Sequence, residues 1–233
     1  RSSPGVVYSL IEHEDGGIWR SSDKGETWTR MCSNKTYTQI NFRPFYYSQI
    51  RVDPTDENVV YVFSGGSYVS RDGGKAWVNS SKGYTGANIH DISINPDNPN
   101  IAFLASRAGP FVTYNGGEDW IGLNYGAELS ESYTIEVFDD NPAEILAAND
   151  GNGAIAKSSN GGFSWETVFR HPLVNADNPG NRHTFRDIAI SASHPEIIYA
   201  GMGKVINVGM VDPSPYPGYG MYKSVDRGET WTP

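Results

Sequence analysis

Four polar residues at equivalent points of a repeating pattern are the best candidates for chemistry in this sequence. They are Gln49, Asp91, Thr134 and Asp187, each near the start of a segment that alternates apolar and polar residues. If the carboxylates of Asp91 and Asp187 faced each other across a cleft, they could serve as acid and base in glycoside hydrolysis. The alternative is that both are solvated side chains that hydrogen-bond to neighbouring strands, because a fold alone does not confer activity.

Neighbouring positions in the same register add groups that could bind a ligand. One step earlier in the four segments are Ser48, His90, Tyr133 and Arg186, and Tyr46 and Tyr47 precede the first segment. Tyr46 and Tyr47, with Tyr84 as a further member, could form an exposed aromatic surface that stacks on a sugar or a peptide. The alternative is that these rings are buried in the packing between neighbouring sheets. The candidate ligand-binding residues are therefore Tyr46, Tyr47, Gln49, His90, Asp91, Tyr133, Arg186 and Asp187.

The elements that must position these residues are β-strands. Each candidate segment is followed by a turn at Pro, Asp or Asn and then by a nearly continuous apolar run, as in 49–54 and 58–62. Alternation predicts a strand with one exposed face, and the continuous run predicts a strand buried on both faces. The pattern occurs four times, and we interpret each pair as strands A and B of one sheet. A further strand B is predicted at 6–10.

An octapeptide of the form S/T-x-D/N-x-G-x-x-W provides a second repeat. Octapeptides 1 to 5 are residues 21–28, 70–77, 113–120, 158–165 and 224–231. Their spacings are 49, 43, 45 and 66 residues, and the first three match the span of a four-stranded propeller blade. We expect the Asp or Asn to accept hydrogen bonds from the turn, the Gly to take a positive φ, and the Trp to begin the next strand with its ring in the core. These residues are Asp23, Gly25, Trp28, Asp72, Gly74, Trp77, Asn115, Gly117, Trp120, Asn160, Gly162, Trp165, Asp226, Gly228 and Trp231.

The acidic residues of the octapeptides are interpreted as turn caps and not as metal ligands. Asn stands at 115 and 160, and loss of charge at two of five positions suits hydrogen bonding better than cation binding. The five histidines show no spacing typical of a zinc site, and no Gly-rich phosphate loop opens a helix. The sequence predicts no metal and no cofactor.

The two repeats together predict an all-β fold, a β-propeller of four-stranded antiparallel blades with the octapeptide turn between strands C and D. A single propeller region is expected over 1–233, with five blades at about 1–42, 43–85, 86–128, 129–178 and 179–233. The first blade lacks strand A and the last stops where strand D should begin. We therefore expect an arc of a larger propeller. No helix is expected, and 205–220 is expected to be an inserted loop.

Composition excludes several classes of partner. The net charge is −9, the isoelectric point is near 5.0, and Lys and Arg form no run. A nucleic acid partner is therefore not expected, because neutralising phosphates needs clustered cations. No apolar stretch reaches the length of a membrane-spanning helix, so membrane insertion is not expected. The single cysteine, Cys32, rules out an internal disulfide.

The octapeptides, with 46–54 and 59–62, resemble the BNR or Asp-box repeats of sortilin/VPS10-like propellers. Within that group the chain is most similar to bacterial exported proteins described as sortilin-like or glycosyl-hydrolase-like. The resemblance covers essentially the whole chain. It implies a secreted, periplasmic or cell-surface protein that binds a protein, peptide or glycan, or that serves as a scaffold for other chains of an extracellular assembly.

The same resemblance leaves a glycoside hydrolase fragment as the alternative. Sialidases of this kind carry an arginine triad, a tyrosine nucleophile with a glutamate partner, and an Arg-Ile-Pro-type motif ahead of the first repeat. Here 42–44 (Phe-Arg-Pro) echoes only part of that motif and follows octapeptide 1. Related xyloglucanases use two Asp residues that face each other across a cleft between two propellers. This chain supplies only one incomplete propeller, so that pair of Asp residues cannot be assigned. We therefore expect a non-catalytic binding or scaffold protein, with a xyloglucanase-like or sialidase-like hydrolase as the alternative.

Overall fold

The computed structural model describes residues 3–42, 48–84, 88–123, 131–149, 153–172, 183–204 and 220–233. These residues form five antiparallel β-sheets and one short helix. Every sheet is built from strands that follow one another in the chain, which is the connectivity of propeller blades. The predicted fold class is confirmed. The predicted loop at 205–220 lies outside the described residues except for its last residue.

The strands of the first three sheets are short and regular. Sheet 1 consists of β1 (Val7–Ile11), β2 (Gly17–Ser21) and β3 (Thr29–Arg30). Sheet 2 consists of β4 (Gln49–Val52), β5 (Val60–Phe63), β6 (Ser67–Ser70) and β7 (Val78–Asn79). Sheet 3 consists of β8 (Ile89–Ile94), β9 (Ala102–Ser106), β10 (Gly109–Thr113) and β11 (Ile121–Gly122). In sheet 1 the three strands correspond to strands B, C and D of the others.

The last two sheets have longer inner strands. Sheet 4 consists of β12 (Ser132–Phe138), β13 (Asn141–Asn149), β14 (Ala154–Ser158) and β15 (Glu166–Arg170). Sheet 5 consists of β16 (His183–Ile190), β17 (Ile198–Lys204) and β18 (Met221–Ser224). A single bridge from Lys223 to Thr232 stands where a fourth strand would run. The chain divides into two compact units, 1–104 with 111–122 and 105–110 with 123–233.

Strand B carries most of the core. β5 and β9 are buried along their whole length, as their continuous apolar sequences predict. β17 differs because Tyr199 is 43% exposed and lies beneath the Lys223 ammonium, 5.5 Å from the ring centroid. Its apolar run therefore packs on one face only. The Tyr199 ring tolerates this exposed position because the Lys223 ammonium is attracted to its face and because a tyrosine is amphipathic.

The prediction that the chain contains no helix was wrong. α1 (Asn34–Ile40) joins sheet 1 to sheet 2. The Ser33 hydroxyl caps it by accepting a hydrogen bond from the Thr36 N–H at 3.2 Å. Tyr37 and Ile40 are buried on one face, three residues apart. Two apolar residues in seven give too short a periodic signal to predict a helix, and tertiary burial is what stabilises a helix of this length.

All five octapeptides use one set of hydrogen bonds. At position 1 the Ser or Thr hydroxyl donates to the Oδ1 atom of the Asp or Asn at position 3. The same hydroxyl oxygen accepts from the Gly N–H at position 5. The position 3 oxygen also accepts from the N–H at position 7. Because Asp and Asn make the same bonds, the side chain at position 3 holds the turn by accepting hydrogen bonds and not by its charge.

Two consecutive residues of each octapeptide have positive φ. Position 5 is always Gly, with φ between 86° and 96°. Position 4 also lies in the left-handed region, and there Lys24 and Arg227 adopt φ of 63° and 61° where the other octapeptides have Gly. The sequence predicted the first of these positions but not the second. Lys24 is exposed, whereas Arg227 lies over the Phe138 ring, 4.4 Å from its centroid, and donates to Asp140 and Glu144. Position 4 therefore accepts a long side chain, which carries the backbone cost of this conformation.

The octapeptides lie at one end of each sheet, which we call the box end. The N–H at position 4 donates to a carbonyl at or just before strand B of the same sheet, as in Gly73 to Asn58 and Gly161 to Ala143, both at 2.9 Å. The other end, which we call the loop end, holds the start of strand A and the turn between strands B and C. There Gln49 pairs with Phe63, the last residue of β5. The candidate ligand residues that the structure describes therefore lie at the end opposite the octapeptides.

The octapeptide hydrogen bonds predict how stability responds to acid. The Ser21 and Thr27 hydroxyls hold the pKa of Asp23 at about 2, and the Thr230 hydroxyl and backbone N–H hold the pKa of Asp226 at about 2. A folded-state pKa below the unfolded value, near 3.9, stabilises the fold above that pH, and the contribution is lost as the pH falls from about 4 through 2. A D23N/D226N variant is expected to keep its stability at pH 7, because Asn makes the same bonds at 115 and 160, and to lose less than the parent between pH 5 and 2.5.

Urea denaturation midpoints at pH 7, 5 and 2.5 measure this difference. D23A/D226A is the control, since alanine removes the acceptors and is expected to lower the midpoint at all three values. An equal acid loss in the parent and in D23N/D226N would contradict the assignment.

Candidate functional site

The strand A starts of the first unit meet in a polar cluster. Arg51 on β4 donates from Nη2 to Asp91 Oδ1 on β8 at 3.0 Å and from Nη1 to Gln49 Oε1 at 2.9 Å. The same Asp91 oxygen accepts from the Ile92 backbone N–H at 2.8 Å. The side chain of Asp91 is 14% exposed. This arrangement ties two neighbouring strands together, and one of the two carboxylate oxygens of Asp91 already accepts two hydrogen bonds.

Sequence reasoning missed Arg51 as a member of this cluster. The signal was available, since Arg51 is two residues after Gln49 and residues two apart on a strand share a face. The neighbouring candidate His90 is half-buried on β8, one position before Asp91. Tyr46 and Tyr47 lie outside the described residues. Tyr84 does not extend an exposed aromatic surface, because it is buried edge-on against Phe111 with ring centroids 5.1 Å apart.

The strand A starts of the second unit bring an aromatic ring and a cation together. The Arg186 guanidinium lies over the Tyr133 ring, 4.0 Å from its centroid. Both residues are the extra residues of β-bulges, since the register of β12 shifts between Ser132 and Thr134 and that of β16 between Phe185 and Asp187. A bulge re-aims the side chain that it carries. The two bulges thus direct Tyr133 and Arg186 out of their pleats and into contact.

Arg186 and Asp187 are exposed at this point. Among the described residues Arg186 makes no hydrogen bond or ion pair, and its only contact of note there is the one with the Tyr133 ring. Thr134 beside Tyr133 is buried and takes no part in the surface. Asp91 belongs to the first unit and Asp187 to the second.

A cavity that the sequence did not indicate opens at the loop end of sheet 1. Its volume is about 450 Å³. The turn between β1 and β2 supplies one wall, and the C-terminal part of α1 supplies the other. Its principal lining residues are Glu12, His13, Glu14, Tyr37, Asn41 and Phe42. The sequence could not predict this cavity, because α1 forms one of its walls and the helix was not predicted.

The part of the chain that the structure describes contains no cluster of three or more His, Cys, Asp or Glu able to hold a metal ion. Within the same residues no helix has the length and apolar character needed to cross a membrane.

The sheets and their connectivity define a β-propeller, and solved structures share this fold. A GH74 enzyme described as ancestral matches with 19% identity and a TM-score of 0.61, over 95% of this chain and 28% of that chain. The GH74 xyloglucanase from Xanthomonas campestris matches with 14% identity and a TM-score of 0.67, over 98% and 36%. YCF48 bound to D1 peptide matches with 16% identity and a TM-score of 0.60, over 94% and 60%.

At these identities the likeness shows the fold alone. The chain spans about a third of the GH74 chains and less than two thirds of the YCF48 chain. No protein-family model and no curated protein sequence matches this chain.

Proposed function

We propose that this chain belongs to a non-catalytic β-propeller that acts outside the cytosol, in the periplasm, at the cell surface or as a secreted protein, and binds a protein or peptide at the loop ends of its sheets. The observation that carries the proposal is the Arg186 guanidinium over the Tyr133 ring. The location follows from the sortilin-like resemblance of the octapeptides. The ligand end follows from the position of this pair, opposite the box end.

The Arg186 and Tyr133 pair has the properties of a binding contact. An exposed guanidinium held over a ring loses little side-chain entropy when a ligand arrives, because the aromatic contact has already restricted it. Its planar donors suit the carboxylates and main-chain carbonyls of a polypeptide. Arginine and tyrosine are also among the residues that most often dominate the affinity of protein interfaces.

The carboxylates at the loop ends are less suited to catalysis. Asp91 Oδ1 already accepts from Arg51 and from the Ile92 N–H. Asp187 is exposed to solvent. A binding role needs no second carboxylate, and Asp187 can then contribute a hydrogen-bond acceptor beside Arg186. The YCF48 structure bound to D1 peptide is an example of this fold with a peptide ligand.

The proposal predicts that Arg186 dominates the affinity for peptides. Peptides that bind the parent chain would be selected from a random library, and their dissociation constants measured by isothermal titration calorimetry. R186Q is expected to weaken binding at least about tenfold, as loss of a central arginine contact does. Y133L is expected to weaken it less, because the guanidinium loses its support but keeps its donors.

R71Q is the matched control for this measurement. Arg71 is exposed and carries the same charge, but it stands in octapeptide 2 at the box end. Its loss should leave the dissociation constant within about twofold. If R186Q and R71Q bind the selected peptides equally well, the loop end of sheets 4 and 5 is not the binding surface.

The second candidate function is glycoside hydrolysis, which is favoured by the exposed Asp187 carboxylate on a fold that GH74 enzymes share. Reducing-end release from xyloglucan and other β-glucans is the direct measurement. The binding proposal expects none above the heat-treated protein. Turnover in the parent that disappears in D91N or D187N would replace the binding proposal with this one.

A further inference from the structure

We propose that one face of sheet 5 binds sheet 1 of a second copy of this chain, with octapeptide 1 of that copy seated on Tyr199 and Lys223. The inference goes beyond the proposed function, because it concerns association between chains and depends on no peptide ligand. The contact needs one sheet from each copy. Its example inside the chain is the contact between sheets 4 and 5, whose residues used below all lie in one compact unit.

One residue of strand B marks the place where a sheet receives the octapeptide of the next sheet. It pairs with the residue just before its own octapeptide, and in four sheets it is Tyr8, Tyr61, Leu146 and Tyr199. The Tyr61 hydroxyl donates to the carbonyl of Gly116 in octapeptide 3 at 3.3 Å. Leu146 packs on Gly228 of octapeptide 5, where a Cβ would stand 3.3 Å from Leu146 Cδ2. This strand B position is therefore a docking point for positions 4 and 5 of an octapeptide.

The docking point of sheet 5 is open. Tyr61 is 4% exposed and Leu146 is fully buried, whereas Tyr199 is 43% exposed. Met221, which shares a face of the sheet with Tyr199, is 61% exposed. Tyr199 and Lys223 lie next to octapeptide 5 at the box end, while β17 and β18 are connected at the loop end. The open face is thus the one that sheets 2 and 4 cover with the next octapeptide.

A cation accompanies the docking point in three sheets. It is the last residue before the octapeptide, namely Arg20, Lys157 and Lys223. Arg20 pairs with Glu57 of sheet 2 at 3.0 Å, and Lys157 pairs with Glu229 of octapeptide 5 at 2.6 Å. Among the described residues no carboxylate forms an ion pair with Lys223, which lies over the Tyr199 ring. The open face therefore presents a cation where its equivalents meet an acid of the next sheet.

Octapeptide 1 carries the acid that this face requires. Octapeptides 1 and 5 differ only at positions 2 and 4, and position 4 is basic in both. Glu26 stands at position 6, as Glu229 does, and is exposed. If octapeptide 1 sat on sheet 5 as octapeptide 5 sits on sheet 4, Glu26 would meet Lys223 and Gly25 would cover Tyr199. Charge complementarity therefore favours octapeptide 1 as the occupant.

The other octapeptides are poorer occupants of the open face. Position 6 is Lys75 in octapeptide 2 and Phe163 in octapeptide 4, so neither offers a carboxylate to Lys223. Octapeptide 3 has Glu118 at this position, but it already contacts Tyr61 of the preceding sheet.

Sheet 1 presents an exposed apolar face on the side that this contact would use. Val7 and Ile11 lie on the face of β1 that is turned away from sheet 2, and they are 37% and 44% exposed. Trp28 is 40% exposed, whereas Trp120 and Trp165, at the same octapeptide position, are buried and donate to a carbonyl just after the preceding sheet. One chain thus carries both halves of a heterologous, head-to-tail contact between copies.

Sedimentation velocity over about 1–200 μM protein tests the inference, since interfaces of ordinary size reach micromolar affinity or better. The parent is expected to associate with increasing concentration. E26K and K223E are each expected to weaken association at least about tenfold, because each variant brings like charges together. An equimolar mixture of the two variants should restore association, since every contact between unlike chains then joins opposite charges. The double variant E26K/K223E should restore it for the same reason.

E118K and K75E are the matched controls, because Glu118 and Lys75 are exposed and occupy position 6 of octapeptides 3 and 2. Both variants should associate as the parent does. Restored association in the mixture also shows that E26K and K223E are folded. A parent that stays monomeric over the whole range overturns the inference. Association that E26K and K223E leave unchanged, or that neither the mixture nor the double variant restores, overturns it as well.

Discussion

Replacing Trp120 with alanine is expected to lower the free energy of unfolding by about 3–5 kcal/mol, the range for truncating a buried aromatic side chain. The indole is 3% exposed, and its N–H donates to the Ser80 carbonyl at 2.8 Å. Ser80 directly follows β7, so this one side chain links octapeptide 3 to the preceding sheet. Its removal leaves both a cavity and a buried carbonyl without its donor. Urea denaturation followed by far-UV circular dichroism measures the loss.

Trp28 provides the comparison within the same unit. It is 40% exposed, and its N–H donates at 2.8 Å to Gly25 of its own octapeptide. W28A is therefore expected to cost about 1 kcal/mol, because little buried area and no inter-sheet bond are lost. Trp165 repeats the Trp120 arrangement in the second unit, with its N–H directed to the Leu123 carbonyl at 3.2 Å. Equal losses in W28A and W120A would show that the inter-sheet bond and the burial do not set the stability.

Two adjacent glycines of octapeptide 4 should differ sharply when each is replaced with alanine. G162A is expected to cost about 3 kcal/mol. Gly162 has a φ of 86°, and a Cβ there would stand 2.5 Å from Leu123 Cδ1, so backbone strain and overpacking add. G161A is expected to cost about 1 kcal/mol. Gly161 has a φ of 72°, but a Cβ there would meet nothing within 4 Å. Thermal and urea unfolding of both variants measure the difference.

The natural sequence already contains the control for this pair. Lys24 and Arg227 occupy the position of Gly161 in octapeptides 1 and 5 with the same positive φ. A G161K variant should consequently resemble G161A. A larger loss for G161A than for G162A would mean that the steric environment, and not the shared backbone strain, has been misassigned.

The blade pattern was predictable because its signals are local. Alternation, apolar runs and the octapeptide specify strands and turns from residues that are neighbours in the chain. What the octapeptide could not specify is where its tryptophan goes. Trp28 was expected in the core and is 40% exposed, and Trp77 and Trp231, only partly buried, donate like Trp28 to the Gly of their own octapeptides. The indole N–H donates either to the Gly of its own octapeptide, as in Trp28, or to the preceding sheet, as in Trp120. Which bond forms depends on the preceding sheet, and the octapeptide sequence does not specify that sheet.

The candidate site was also predictable only in part, because its geometry depends on residues that are distant in the chain. Aligning the strand A segments placed Tyr133 and Arg186 at one register position, and the structure puts them in contact. The alignment could not foresee the two bulges that turn these side chains toward each other. The cavity beside α1 was beyond reach for another reason. Its walls are a hairpin turn and a helix that come together only in the folded chain, so the sequence around either one does not indicate the cavity.

The hydrogen bond from position 4 of each octapeptide to the start of strand B has a consequence for protein engineering. It locks the register of the sheet from one end, so the length of the connection at the other end is free to vary. The connection between strands B and C is 64–66 in sheet 2, 107–108 in sheet 3 and 205–220 in sheet 5. Foreign recognition loops grafted at 107–108 should therefore be accepted without redesign of the strands, whereas 64–66 is less suitable because the Ser64 carbonyl accepts from the Ile89 N–H of sheet 3. The same grafts placed within an octapeptide would unlock the sheet that displays them.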